Sequence, residues 1–341
     1  MSAKFPIASA GSPLPAPHLL IAFAACAAED WLPAMKALAP QGLPCLSRLL
    51  QGMTRVHSDD ADSHTLSPPH ERALARALGW NTGSARDGLL PWAALDAAQH
   101  LQAAPGSAWA WITPCHWAMG REHATLTDPA ALALSESESR ALLAAMQPYF
   151  ATEGITLHYA EALGPGRWLA SGEVFRHQPS ASLDRVLGRN VDPWLPKPVG
   201  DTGSAARKIK LLQNEMQMLL YTHPLNEARA AQGRVAINSF WLSGTGALPA
   251  GTSQMPSTTV QRSLAPAVFS DDWAAYARAW TALDASDISA LMSHQRAGHR
   301  VTLTLCGERN AHTFETRQDG WLARTVGRFT SPPLLNLLES L

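Results

Sequence analysis

Apolar residues along the chain recur with two periods, and the alternation between them predicts strands interleaved with helices. A buried strand is expected at residues 19–24, then helical turns marked by Trp31, Met35 and Leu38 and by Leu46, Leu49 and Leu50. A polar stretch, residues 57–64, leads to Pro68-Pro69 and a helix carrying Leu74 and Leu78 that Gly79 stops. The aromatic run 108–113 reads as a strand with 123–127 as its neighbour across a turn holding Met119 and Gly120. Ser135 and Glu138 form an S-x-x-E capping box ahead of Leu142, Leu143, Met146 and Phe150. Strands at 155–159 and 168–170 follow as a hairpin or meander, and a Pro- and Gly-rich loop spans 190–203.

Beyond that loop, Ile209, Leu212, Met216 and Leu219 mark one face of a helix at 205–221. A strand at 235–242 runs into Gly244 and Gly246, and a loop covers 250–257. Trp273, Ala277, Trp280 and Leu283 mark another helical face, 301–306 a strong strand, and 334–341 a closing helix. This order predicts an α/β fold with a mostly parallel sheet, helices on both of its faces, and an inserted α+β lobe. The expected divisions are a flexible Ala-, Ser- and Pro-rich tail at 1–17, an α/β core from 18–107 and 199–341, and the inserted lobe at 108–198.

Composition narrows the function classes. With 341 residues, 46% hydrophobic, the chain can bury a full core. Its net charge of -1, from 27 basic and 28 acidic residues, gives no overall pull toward nucleic acid or an anionic membrane. No segment reaches the ~20 apolar residues of a spanning helix. The apolar run 19–28, with Cys26 inside it, is short for a signal and follows Pro13, Pro15 and Pro17. Cys26, Cys45, Cys115 and Cys306 are scattered without a C-x-x-C pair, so reduced thiols in a cytoplasmic protein are expected.

One stretch carries a family resemblance. In HPLNEARAAQGRVAINSFWLSGTGALP, residues 223–249, the succession of His223, Pro224, Asn226, Arg229, Asn238, Gly244, Gly246 and Pro249 resembles the archaeal branch of the cofactor-independent phosphoglycerate mutases, of the alkaline phosphatase superfamily. LPCLSRLLQGM, ALARALGW and the segment from WAWITPCHW to LSESESRALL are similar to other parts of that family in the same order. NEMQMLLYTHPLNEAR and NSFWLSGTG resemble more nearly the bacterial proteins named for regulation of pathogenicity factors, type E. The resemblance implies an alkaline-phosphatase-like fold and a lineage without by itself implying a reaction.

The family's chemistry uses two divalent metals about 3.5 to 4 Å apart, which activate a serine and clamp the migrating phosphoryl group. The resemblance implies an Asp directly after the first strand, yet LLIAFAACAA reaches an acid only at Glu29 and Asp30. In register, His70 stands at the serine and Glu71 at the following Asp, with Ser67 out of register. A Pro-Pro-His-Asp element is answered by Asp184 alone, and 301–306 runs into Gly307 and Glu308 where an Asp-His pair is implied. No metal and no other cofactor is therefore expected, and no catalytic residue beyond the candidates His70, Cys115 and His116.

Three constellations remain. His57, Asp59, Asp60, Asp62, His64 and His70 share a polar run with donors for a divalent metal or, alternatively, form a solvated loop. Cys115 and His116, with Arg121 and His123, offer a thiol and imidazole or else a structural turn. Asn226, Arg229 and Asn238 offer an anion pocket that needs no metal, or turn caps and an ion pair. Among the twelve tryptophans, Trp273 and Trp280 are candidates for a partner surface. The expectation is a catalytically degenerate mutase-like protein that binds a protein partner or a phosphorylated small metabolite and acts in regulation. The alternatives are a divergent metal-dependent phosphoglycerate mutase or phosphatase, and a structural subunit of a bacterial assembly.

Overall fold

The computed structural model of the protein describes residues 16–38, 42–80, 86–197, 203–249, 258–317 and 333–341. Most of the 1–17 tail, the loop at 250–257 and part of the 190–203 loop lie outside these. The strands are β1 (His18–Ile21), β2 (Met53–Asp59), β3 (Ala108–Cys115), β4 (Trp117–Met119), β5 (Ala124–Leu126), β6 (Thr156–His158), β7 (Trp168–Ser171), β8 (Ser239–Ala247), β9 (Thr258–Gln261), β10 (Thr302–Cys306) and β11 (Ala311–Thr316). The first helices are α1 (Trp31–Leu38), α2 (Pro44–Gln51), α3 (Pro69–Ala77), α4 (Trp92–His100) and α5 (Glu136–Thr152). After them come α6 (Gly203–Tyr221), α7 (Pro224–Ala231), α8 (Ala265–Phe269), α9 (Trp273–Leu283), α10 (Ser289–Arg296) and α11 (Leu334–Glu339). Two compact units result, one drawn from Met1–Ala61 and Pro256–Leu341, the other from Asp62–Met255.

The first unit is built on a five-stranded sheet in the order β2-β11-β10-β1-β9. β1 pairs in parallel with β10 and β9, but β10 with β11 and β11 with β2 are antiparallel, so the expected mostly parallel sheet is a mixed one. A tight turn, closed by Gly307 N–H donating to Asn310 O at 2.9 Å, joins β10 to β11, and a connection that short permits only an antiparallel pair. β2 escapes the sequence reading because it is a sheet edge: Thr54, Arg55, Val56 and His57 are exposed, which gives it the polarity of a loop.

Leu19, Ile21, Leu303 and Leu305 point to one side and join Trp31, Met35, Leu46, Tyr276, Trp280 and Leu338 in one core, so the helices of this unit pack on that face. The opposite side carries a polar ladder in which His18 meets Thr258 and Thr304 at 2.9 Å each, and Thr304 meets Thr313 at 3.1 Å. Burial pushes the His18 imidazole down to about 4. A π turn, Asp284–Ile288, continues α9 and brings the buried Asp284 carboxylate to the start of α2. There it accepts the Cys45 and Leu46 N–H groups at 3.0 and 2.7 Å, satisfying donors that a helix start leaves unpaired. Trp280 lies in the core with no exposure and Trp273 packs edge-on against Tyr276, so this pair is not the partner surface that the aromatic content suggested.

The second unit holds the antiparallel sheet β6-β7-β3-β8. Alternation along β3 sends Ala108, Ala110 and Ile112 to a core with α5 and α6, and Trp109 to a core with α3 and α4. Two-sided helical cover, expected for the parallel sheet, is thus found on this antiparallel one. β8 pairs with β3 along its whole length, from Ala108↔Ala247 to Cys115↔Ser239. That ladder joins β8 to β3 within the second unit, Asp62–Met255. β5 pairs with β4, inside the expected turn, and not with β3.

Gly244 and Gly246 belong to the same ladder. It shifts register between Trp109 and Trp111, Gly244 has φ +63°, and a Cβ there would lie 2.7 Å from Trp111 Cε3. The glycine pair is therefore a demand of strand packing.

Candidate functional site

The constellation with the most chemistry lies where α3 starts. Pro68 and Pro69 fix the chain entering the helix, and His70 and Glu71 follow in its first turn. A short 3-10 turn, Leu183–Arg185, brings Asp184 to the same place. His70 Nε2 lies 2.9 Å from Asp184 Oδ2, with side-chain exposures of 5% and 9%. Ser182 donates its hydroxyl to Glu71 Oε1 at 2.5 Å. One ligand atom from each of His70, Glu71 and Asp184 lies within 4.8 Å of the others, the one such group of His, Cys, Asp and Glu among the described residues.

Three loops hold this arrangement. Asp87 accepts the N–H groups of Leu66 and Ser67 at 2.6 and 3.0 Å, and Ser67 Oγ accepts Gly88 N–H at 3.1 Å. Ser182 N–H donates to Leu66 O at 3.0 Å and Ser180 N–H to Gly88 O at 2.9 Å. Arg185, 2% exposed, reaches Thr65 Oγ1 at 2.8 Å, and Arg72 donates to the Ser67 carbonyl. Beside these loops is a cleft of about 310 Å³ whose lining includes His64, Arg86, Asp87, Trp194 and Lys197. His64 pairs with Asp62 at 3.0 Å and stacks over Trp194 at 6.5 Å.

Of the polar run that begins at His57, only His70 enters the three-residue group. His57 and Asp59 are paired into β2, opposite Thr313 and Ala311. Cys115 is fully buried at the end of β3, and burial pushes its thiol up, away from the thiolate a nucleophile needs. His116, next to it in the chain, uses Nδ1 on the Ala236 carbonyl at 2.9 Å. The thiol–imidazole site is therefore corrected to a structural turn. None of the four cysteines forms a disulfide.

Asn226, Arg229 and Asn238, the expected anion pocket, are likewise engaged by groups of the protein itself. Arg229, 1% exposed, places Nε on Val235 O at 2.8 Å, Nη1 on Glu138 Oε1 at 2.9 Å and Nη2 on Leu132 O at 2.7 Å. Asn226 donates to Leu220 O and Ile237 O and accepts Ile237 N–H, all at 2.7 to 2.9 Å. Asn238 exchanges two hydrogen bonds with the Trp117 backbone at 2.8 and 3.0 Å. Of the three, Arg229 ties this segment to the capping box of α5 through Glu138. At Glu138, burial works to raise the carboxyl, but donors from Ser135, then Arg229 and Arg234, outweigh it and hold it at about 2.

The strand ends of the first unit offer little to a metal pair. Ala22, Ala24 and Ala25 follow β1 as buried apolar residues, and Glu308, after β10, accepts Ala27 N–H at 3.0 Å. Two divalent cations clamped by Asp and His ligands do not fit this lining. Sequence register pointed to His70, Glu71 and Asp184 one at a time. The meeting of His70 and Glu71 with Asp184 and Ser182 had no signal in the chain, since these partners are 111 or more residues apart.

The chain matches no protein-family model and no curated protein. Among solved structures it is similar to a cofactor-independent phosphoglycerate mutase from Thermoplasma acidophilum, at 14% identity and a TM-score of 0.36, over 95% of this chain and 98% of that one. It is also similar to the PH0037 protein from Pyrococcus horikoshii, at 11% identity and a TM-score of 0.45, over 96% and 98%. No helix among the described residues is long and apolar enough to cross a membrane.

Proposed function

We propose that this is a phosphoglycerate-mutase-like protein without two-metal phosphoryl transfer, which acts by binding a phosphorylated small metabolite in a regulatory role. The observation that carries the reading is the apolar lining Ala22–Ala25 after β1, together with the engagement of Glu308 after β10. A pair of cations needs several carboxylates and imidazoles where these residues stand.

The place for the ligand is the cleft of the second unit, where the exposed Arg86 and Lys197 supply positive charge beside the Trp194 ring. A melting screen with phosphorylated metabolites tests this. An upward shift at millimolar ligand, lost in the Arg86→Ala, Lys197→Ala double variant, is expected; no shift with any member of the panel contradicts it. One observation favours a second reading, a divergent metal-dependent phosphatase: the Ser182 hydroxyl sits 2.5 Å from the Glu71 carboxylate, next to His70 and Asp184. Hydrolysis of a generic phosphoester, abolished by Ser182→Ala, would establish that reading in place of the first.

A further inference from the structure

We propose that His70 Nε2, a Glu71 carboxylate oxygen and Asp184 Oδ2 form a three-ligand site for one divalent transition cation, with zinc the ion that suits them. The mutase-like reading does not require this site, whereas the phosphatase reading would draw on the same residues. Imidazole and carboxylate are both donors that zinc takes, and three protein ligands leave a fourth position to water, as in open zinc sites.

The geometry is near what such an ion needs. Tetrahedral ligands at zinc lie about 3.3 Å apart, given metal bonds of about 2.0 Å. His70 and Asp184 stand at 2.9 Å and the whole group within 4.8 Å, so closure requires side-chain adjustment of about an ångström and no backbone rearrangement. The ligands come from two elements that are already tied, α3 and the 183–185 turn, through Ser182 N–H on Leu66 O and Arg185 on Thr65. Ser182 aligns Glu71 from outside, the kind of support that sets the orientation of a ligating carboxylate. His70 is buried, and Glu71 and Asp184 are partly buried.

The test is calorimetric titration of the chelator-stripped full chain with zinc, repeated on Glu71→Gln and His70→Ala. Glu71→Gln keeps an acceptor for the Ser182 hydroxyl and removes one charged ligand, so it separates loss of coordination from loss of fold. One zinc per chain is expected for the parent, with affinity reduced about tenfold or more in Glu71→Gln and stoichiometric binding lost in His70→Ala. Absence of stoichiometric uptake by the parent, or uptake unchanged by both substitutions, overturns the site and leaves the mutase-like reading standing. Following phosphoglycerate on the same loaded sample separates the two: turnover would end that reading while leaving the cation site intact.

Discussion

Replacing Arg229 with Met separates a fold-holding arginine from a ligand-binding one. The side chain is 1% exposed, and all three of its nitrogens are engaged, on Val235 O, Glu138 and Leu132 O. Breaking a buried ion pair from one side costs about 3–5 kcal/mol, because the partner charge stays behind. Here Arg234 still reaches Glu138 at 3.0 and 3.2 Å, which places the expected loss near the lower end, about 3 kcal/mol. The Glu138 carboxyl bounds what its donors contribute together, Ser135 first and then Arg229 and Arg234. Its folded value of about 2 lies below its ordinary 4.5, so its contribution is complete above pH 4.5 and disappears as the pH falls toward 2, at most about 3 kcal/mol in all. Urea unfolding at pH 7, followed by circular dichroism, should show Arg229→Met and Glu138→Gln each lowering the midpoint. The double variant should lose less than their sum by about 1–2 kcal/mol, the signature of direct coupling. An Arg229→Met protein within about 1 kcal/mol of the parent, or strictly additive losses, would refute the structural assignment and restore the anion pocket.

Further outcomes follow from the same contacts. His18 titrates at about 4 in the fold against an ordinary 6.5, so acidification from pH 7.5 to 5 should destabilise the first unit by about 2 kcal/mol; His18→Gln should flatten that dependence, and an unchanged slope in thermal melts would refute it. Gly244→Ala meets both φ +63° and the Trp111 ring, and a loss of about 2 kcal/mol or more is expected in the same urea assay, with a neutral result contradicting the close approach. Cys115 should resist iodoacetamide at pH 8 in the native chain and react once the chain is unfolded, as read by mass spectrometry; rapid native labelling would show an accessible thiolate.

What the sequence made legible was local. The Ser135 box is formed from both sides, Gly79 ends the α3 turn at φ +74°, and the face of Ile209, Leu212 and Met216 is buried as its period implies. The hairpin of β6 and β7 forms too. Elements lacking a pattern of their own were missed: edge strand β2 is polar because one side of it meets water, and α4, Trp-Ala-Ala-Leu-Asp-Ala-Ala-Gln-His, is nearly uniform in small apolar residues. Parallel pairing was overestimated because strand direction depends on the connection between β10 and β11, which periodicity does not reveal.

The candidate site divides in the same manner. His70, Glu71 and Asp184 could each be singled out by register, but residue type said nothing of their meeting across the fold. Arg229 and Asn226 are of the right type for anions and are nonetheless consumed by carbonyls, which only three-dimensional neighbours disclose.

The proposed function excludes two-metal phosphoryl transfer. Phosphorus NMR of the full chain saturated with manganese and supplied with 2-phosphoglycerate, with bound metal counted on the same sample, tests it most directly. The account predicts an unchanged spectrum and no more than one cation per chain. Appearance of 3-phosphoglycerate, together with two cations per chain, would contradict it.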